Sequence, residues 1–119
     1  MLEATLFKRL KTLAPNLYPG AAPEKYKTPA VIYNRIDTDP ARDLDGETGQ
    51  SFIIAQIDVY DRDYLTSKNV AKNIRVNLTA WEGDEVQAVS WVGENDSIDN
   101  TTPVSLYRTR MTFVIFGDD

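Results

Sequence analysis

The chain has 119 residues, 42% of them hydrophobic and 26% charged, with a net charge of −5, which fits one soluble domain over residues 1–119 and excludes a disordered chain. It holds no cysteine and no histidine, which excludes disulfides and thiolate metal sites and removes the commonest general base and every histidine-dependent triad. The acidic balance argues against a general affinity for DNA, because duplex binding rests on Lys and Arg neutralising phosphates.

The opening segment carries Glu3 early and has no unbroken apolar core of signal-peptide length, and no apolar run approaches the roughly 20 residues of a membrane span. A soluble protein made in a cytoplasm is expected. Leu2, Leu6, Leu10 and Leu13, with Phe7 beside them, recur at helical spacing. Glu3 in the first turn, Lys8, Arg9 and Lys11 further on and the stop at Pro15 complete an amphipathic helix over 2–14. In the segment that follows, Pro19, Pro23 and Pro29 exclude both a helix and a central strand. It reads as an ordered connector pinned by Leu17, Tyr18 and Tyr26. A strand rich in Val, Ile and Tyr is predicted from Ala30 to Ile36.

Residues 37–50 hold five acids, one Arg, one Pro and two Gly without periodicity. They read as a long loop of about fourteen residues between two strands, well beyond ordinary hairpin length. Ser51 to Tyr60 is the clearest strand, with Ile53, Ala55, Ile57 and Val59 on a core face and Phe52, Ile54, Gln56, Asp58 and Tyr60 on a mixed one. Asp61 or Asp63 is placed to cap a second helix over 64–80. Val70, Ala71, Ile74, Leu78 and Trp81 form its apolar stripe, Lys68, Lys72 and Arg75 its wet side, and Gly83 marks its end. A strand over 85–92, a polar turn from Gly93 to Pro103 and a last strand from Val104 to Phe116 close the chain. In that last strand Tyr107, Met111, Phe113 and Ile115 face one way, and Leu106, Arg108, Arg110, Thr112 and Val114 the other. The order predicts an α+β fold, an antiparallel or mixed β-sheet with two α-helices packed on one face and a long loop between the first two strands.

No residue pattern carries chemistry. Asp43-Leu-Asp-Gly46 resembles part of a calcium loop, but with Gly46 at the sixth position the first ligand would be Ala41 and the twelfth Phe52. Asn77-Leu-Thr79, Asn95-Asp-Ser97 and Asn100-Thr-Thr102 match the glycosylation tripeptide by chance in a chain without a secretory signal. There is no glycine-rich phosphate loop, no nucleophile elbow and no aromatic-basic nucleic-acid platform. The expectation is a protein that is not an enzyme and carries no cofactor and no metal. The acidic stretch is a candidate partner-binding loop through Asp37, Asp39, Arg42, Asp43, Asp45 and Glu47. Gln56, Asp58, Arg108 and Arg110 are a candidate subunit or lumen face, in which Asp58 and an arginine of the last strand can pair across strands.

Several segments in order carry a family resemblance. The opening helix leads into Leu17-Tyr-Pro-Gly-Ala-Ala-Pro, Thr28-Pro-Ala-Val-Ile-Tyr and Leu44-Asp-Gly-Glu-Thr-Gly-Gln. Then come the strand Phe52-Ile-Ile-Ala-Gln-Ile-Asp-Val-Tyr-Asp and the helix Ser67-Lys-Asn-Val-Ala-Lys-Asn-Ile-Arg-Val-Asn-Leu. This order resembles the tail-completion, or tail-to-head joining (tail terminator), proteins of long-tailed bacteriophages, over nearly the whole chain and least over 84–103. The resemblance implies a homo-oligomer, a hexameric ring at the head-proximal end of the tail tube. Such a ring stops tube polymerisation, touches the tail-tube protein and the head connector or neck protein, and lets DNA through without specific binding. It would be made in the host bacterial cytoplasm and reside in the virion, away from any membrane. The alternatives are a head-closure or other neck adaptor, or a small α+β binding module that recognises a basic partner through its acidic loop.

Overall fold

A computed structural model of the chain describes residues 2–14, 16–21, 26–44, 46–81, 83, 85–100 and 105–118. The elements in chain order are α1 (Leu2–Leu13), β1 (Leu17–Pro19), β2 (Ala30–Asp43), β3 (Gly46–Asp61), α2 (Tyr64–Thr79), β4 (Val86–Asp99) and β5 (Leu106–Asp118). The five strands form one sheet in the order β1-β2-β3-β5-β4. Strand β1 runs parallel to β2, and every other neighbouring pair is antiparallel. The α2 crossover therefore carries the chain from β3 past β5 to the far edge. This is the expected α+β arrangement, with a mixed sheet and both helices on one face.

Period-two alternation decides which face that is. Ile53, Ala55, Ile57 and Val59 of β3 are buried together with Met111, Phe113 and Ile115 of β5 and Val31 and Tyr33 of β2. Helix α1 lays Leu6 and Leu10 on this face, with Phe7 against the Tyr33 ring at 5.8 Å, and α2 adds Ala71, Ile74 and Leu78. Of the two expected caps, Asp63 is the one at the α2 N-terminus. Its Oδ2 accepts from the Thr66 backbone N–H at 3.0 Å and from Thr66 Oγ1 at 2.7 Å. Asp61 holds the preceding turn by accepting from the Asp63 N–H at 2.9 Å.

Three expectations are corrected. Residues 37–50 are not a long loop: β2 and β3 continue through them as a hairpin, pairing Asp37 with Ile54, Asp39 with Phe52, Arg42 with Glu47 and Asp43 with Gly46. Backbone pairing needs no apolar side chains, and residues 37–50 hold no hydrophobic alternation that could reveal it. Bulges between Arg35 and Asp37 and between Pro40 and Arg42 further break the period. Likewise Gly93–Asp99 is not a turn but the second half of β4, paired with β5 as far as Asp99 opposite Leu106, after a bulge between Trp91 and Gly93. The rest of the expected turn, Thr101 to Pro103, and the expected strand start at Val104 lie outside the described residues. Finally, Leu17–Pro19 of the expected connector is a short strand, and its place at the sheet edge tolerates a proline without an N–H. Pro23 lies outside the described residues.

Two glycines of the β4–β5 sheet should respond oppositely to an added methyl. A Cβ on Gly117 would fall on the carbonyl oxygen of Glu85, which accepts from the Asp118 N–H at 2.8 Å, whereas one on Gly93 meets nothing within 4 Å. Gly117→Ala is expected to lower the unfolding free energy by about 1–3 kcal/mol. Gly93→Ala should stay within about 0.5 kcal/mol of the parent. Urea unfolding midpoints measure both.

Candidate functional site

Both helices pack on one face of the sheet, and the other face is left uncovered among the described residues. Two halves can be distinguished on it. Toward the end where β5 finishes, the Phe52 and Phe116 rings of paired strands stack at 4.5 Å, with Ile54 and Val114 in the next row. Asp39 and Asp37 stand opposite Phe52 and Ile54 on β2, and both are exposed. Toward the other end the rows turn polar, with Gln56 opposite Thr112, Asp58 opposite Arg110 and Tyr60 opposite Arg108.

The candidate face residues Gln56, Asp58 and Arg110 are brought together. Asp58 is 5% exposed, although no helix covers it, because the long side chains of the neighbouring rows shield it. Its Oδ1 accepts from Arg110 Nε at 3.0 Å. The Gln56 amide, turned with its oxygen toward the guanidinium, accepts from Arg110 Nε at 3.0 Å and Nη2 at 3.3 Å. A charge buried this far needs such a partner, since removing it would leave the carboxylate desolvated and unpaired. Arg108 does not join that pair. Its Nε donates to Ser97 Oγ of β4 at 2.9 Å, and the Tyr60 hydroxyl beside it pushes its guanidinium pKa up.

The acidic residues lie on an arm. Beyond the pairing of Gln50 with Asp118 the β2–β3 hairpin has no third strand among the described residues, so it leaves the sheet as a two-stranded ribbon. The protein is accordingly elongated, 55 × 24 × 22 Å, with a radius of gyration of 15.2 Å, against about 13.5 Å for a compact chain of this length. Asp37 and Asp39 sit near the arm's base, and Asp37 Oδ1 accepts from the Thr38 N–H at 2.8 Å. Arg42, Asp43 and Glu47 are placed by the ladder, but their side chains, and Asp45 altogether, lie outside the described residues. Leu44 at the turn is fully exposed. Gly46 behind it has φ +112°, a backbone state that side-chain-bearing residues rarely adopt.

A feature not anticipated from the sequence is a cleft of about 720 Å³ between α1 and the end of α2, lined among others by Thr5, Lys8, Arg9, Asn77, Trp81 and Glu85. Arg9 closes its floor, donating from Nε to Asn77 Oδ1 at 2.8 Å with its guanidinium 4.9 Å from the centre of the Trp81 ring. Trp81 Nε1 is buried and has no acceptor among the described residues. Thr5 Oγ1 donates to Glu85 Oε2 at 3.1 Å on the opposite wall. Glu85 itself has φ +77°, an unfavourable state for a residue with a side chain. Lys8 and Arg9 are visible in the sequence as the wet side of a helix. Their meeting with Asn77 and Trp81, some seventy residues on, depends on helix–helix packing.

Among the described residues no group of three or more Asp or Glu side chains is placed to hold a metal ion. No described helix is long and apolar enough to cross a membrane. No protein-family model and no curated protein matches the chain. Among solved structures, a chain of the "Virion of native gene transfer agent (GTA) particle" shares the fold with a TM-score of 0.65 and 15% sequence identity. The likeness covers 92% of this chain and 84% of that one.

The pair on the uncovered face should matter more than a pair at the surface. Arg110→Leu, which strands Asp58, is expected to cost about 1–3 kcal/mol. The contrast is Lys68→Ala on α2, which removes the 2.7 Å bridge to Glu94 and the 3.1 Å bridge to Asp96 of β4. These pairs are partly exposed, and their loss should cost less than about 1 kcal/mol. Chemical denaturation of the two variants beside the parent checks the order.

Proposed function

We propose that this chain is a structural protein of a phage or phage-like virion, of the tail-completion kind, and that it acts by assembling into a ring rather than by catalysis. The observation that carries the reading is the fold it shares, over 92% of its length, with a chain of a gene transfer agent virion. In the finer form of the proposal, the ring is hexameric and sits on the head-proximal end of the tail tube. It ends tube polymerisation there and joins the tail to the head connector.

Two physical features support an assembling subunit. An uncovered sheet face that places Phe52, Phe116, Ile54 and Val114 beside Asp37 and Asp39 has apolar area to bury and charges to fix orientation. An arm without a third strand gains little from its own fold and has much to gain from a neighbour. A net charge of −5 suits a channel through which DNA must slide, because it repels phosphates within about a Debye length, ~8 Å in physiological salt.

The reading predicts that deleting the gene from its phage leaves filled heads without tails and tails of uncontrolled length, as seen by electron microscopy. Normal virions from the deletion strain would overturn it. Asp37→Asn with Asp39→Asn should leave stability within about 0.5 kcal/mol, yet lower the yield of joined particles. Phage titre and tail images from the complemented strain give the readout.

A further inference from the structure

We propose that the outward face of the two helices of one copy packs on the uncovered sheet face of the next, setting Lys8 and Lys72 against Asp37 and Asp39 beside a shared apolar contact. The inference rests on the ring reading above and says which surfaces of the subunit meet in the ring.

Charge is divided between the two layers of the domain. Helices α1 and α2 hold six of the chain's thirteen cations and one of its eighteen acids, Glu3. The rest of the chain holds seven cations against seventeen acids, so a protein of net charge −5 carries a basic helical layer. Part of that charge is used within the subunit. Lys68 bridges Glu94 and Asp96, Arg9 donates to Asn77, and Arg75 lies 4.5 Å from the centre of the Trp91 ring. Lys8 and Lys72 are exposed and have no hydrogen-bond or ion-pair partner among the described residues. One turn beyond Lys72 on the same stripe, Val76 is 55% exposed.

The far side of the sheet is the complement of this. Asp37 and Asp39 are exposed there and no cation pairs with them among the described residues. They stand one strand away from Ile54 and from Phe52, which is 41% exposed and stacked on Phe116. The arginines of this face are already engaged, Arg110 by Asp58 and Arg108 by Ser97. Two uncovered sheet faces set together would therefore leave these acids without cations, and two helical faces would leave the lysines without acids. Contact between unlike faces supplies both. It also repeats the packing the chain already uses, since a sheet roofed by helices on both faces is one of the stable layer arrangements.

Height along the molecule agrees as well. Helix α2 starts at Tyr64, whose ring meets that of Tyr107 at 5.6 Å near the start of β5. It ends shortly before Glu85, whose carbonyl accepts from the Asp118 N–H at the finish of β5. The last turns of α2, with Val76, thus lie toward the end of the sheet that holds Phe52, Phe116, Asp37 and Asp39. Lys8 is at that end too, one turn from Thr5, whose hydroxyl donates to the Glu85 carboxylate. The two surfaces stand on opposite sides of one end of the subunit. Copies related by rotation about an axis along the strands keep equal height, so the helical face of one meets the sheet face of the next. Such a heterologous contact generates a ring when the rotation closes.

Charge reversal in two sets tests the contact. The helix set is Lys8→Glu with Lys72→Glu, the sheet set is Asp37→Lys with Asp39→Lys, and urea unfolding checks that each chain is folded. Self-association is followed by light scattering, alone and with purified tail tubes. Either set by itself is expected to weaken it by about tenfold or more. Mixing the two altered chains in equal amounts is expected to restore most of it, because every lysine then faces an acid in an alternating ring. A second measurement uses the chain's lack of cysteine and decides alone where a set does not fold. Oxidising Val76→Cys with Phe52→Cys should give more mixed disulfide than Phe52→Cys with Ile98→Cys, a control on β4. Association that neither set weakens, or that mixing does not recover, overturns this contact and leaves the ring standing, as does a cross-link no better than the control. A strict monomer of the unaltered chain, even with tail tubes, overturns the ring as well.

Discussion

Strand β3 is hydrogen-bonded on both edges from Ser51 to Tyr60, to β2 on one side and β5 on the other, and the rest of the molecule is registered on it. Its inward residues Ile53, Ala55, Ile57 and Val59 supply the middle of the core on which both helices settle. Because side chains alternate with a period of two, a slip of one residue would turn Gln56 and Asp58 toward the helices and expose that apolar row. The same slip would part Asp58 from Arg110, which stands directly opposite it only in the observed register. Apolar burial on one face and a buried ion pair on the other thus select one alignment. The first supplies most of the stability. The second punishes the alternatives, since either charge left alone would be desolvated without compensation.

A chain of this size then runs short of material. Five strands about 4.8 Å apart span about 24 Å, and two helices about 10 Å across are enough to roof one face of such a sheet. Nothing remains among the described elements for the second face. The consequence is a subunit with one finished side and one side half apolar and half charged. The β2–β3 arm extends that asymmetry. Its strands run only a few residues beyond the sheet, and its shape is maintained by backbone pairing, the bulge before Arg42 and the positive-φ turn residue Gly46. An element built that way is inexpensive to reorient and well suited to reach across a subunit boundary.

How much of this was legible in the sequence depended on whether the signal was apolar. Leu6, Leu10, Ile74 and Leu78 announced both helices, and the Ser51–Tyr60 alternation announced β3 together with its core face. The pairing of Asp58 with an arginine of the last strand was also readable, because both lie on the mixed faces of clear strands. The arm was missed for a physical reason. In Asp37–Gln50 the ladder bonds are backbone bonds, and the mostly polar sequence carries no hydrophobic alternation. The Asp45-Gly46 dipeptide is a hairpin signal, but it gains force only between alternating hydrophobics, which are absent here. Gly93–Asp99 hid in β4 for the same reason, behind a bulge that shifts the period. The cleft was beyond reach altogether, since Arg9 and Trp81 meet only once α1 and α2 have packed. Self-association has no signature in the residues themselves and is expected only from the resemblance.

The free edges of the sheet are built against indiscriminate association. Strand β4 is an edge along its length, and β2 becomes one beyond its pairing with β1 at Val31–Tyr33. Long open edges invite indiscriminate strand pairing. Here each carries the features that discourage it. β4 has two bulges, between Val86 and Ala88 and between Trp91 and Gly93, and its Glu94 and Asp96 are held by Lys68 of α2. β2 has its own two bulges, Pro40 without an N–H, and the exposed Asp37 and Asp39. Edge-to-edge growth has no natural end, so it would yield open aggregates. Contacts through a two-toned face require one orientation and can close on themselves. A ring of the kind proposed above has to reach a fixed count and no further, and blunted edges beside a face that fixes orientation are the physical form such a limit takes.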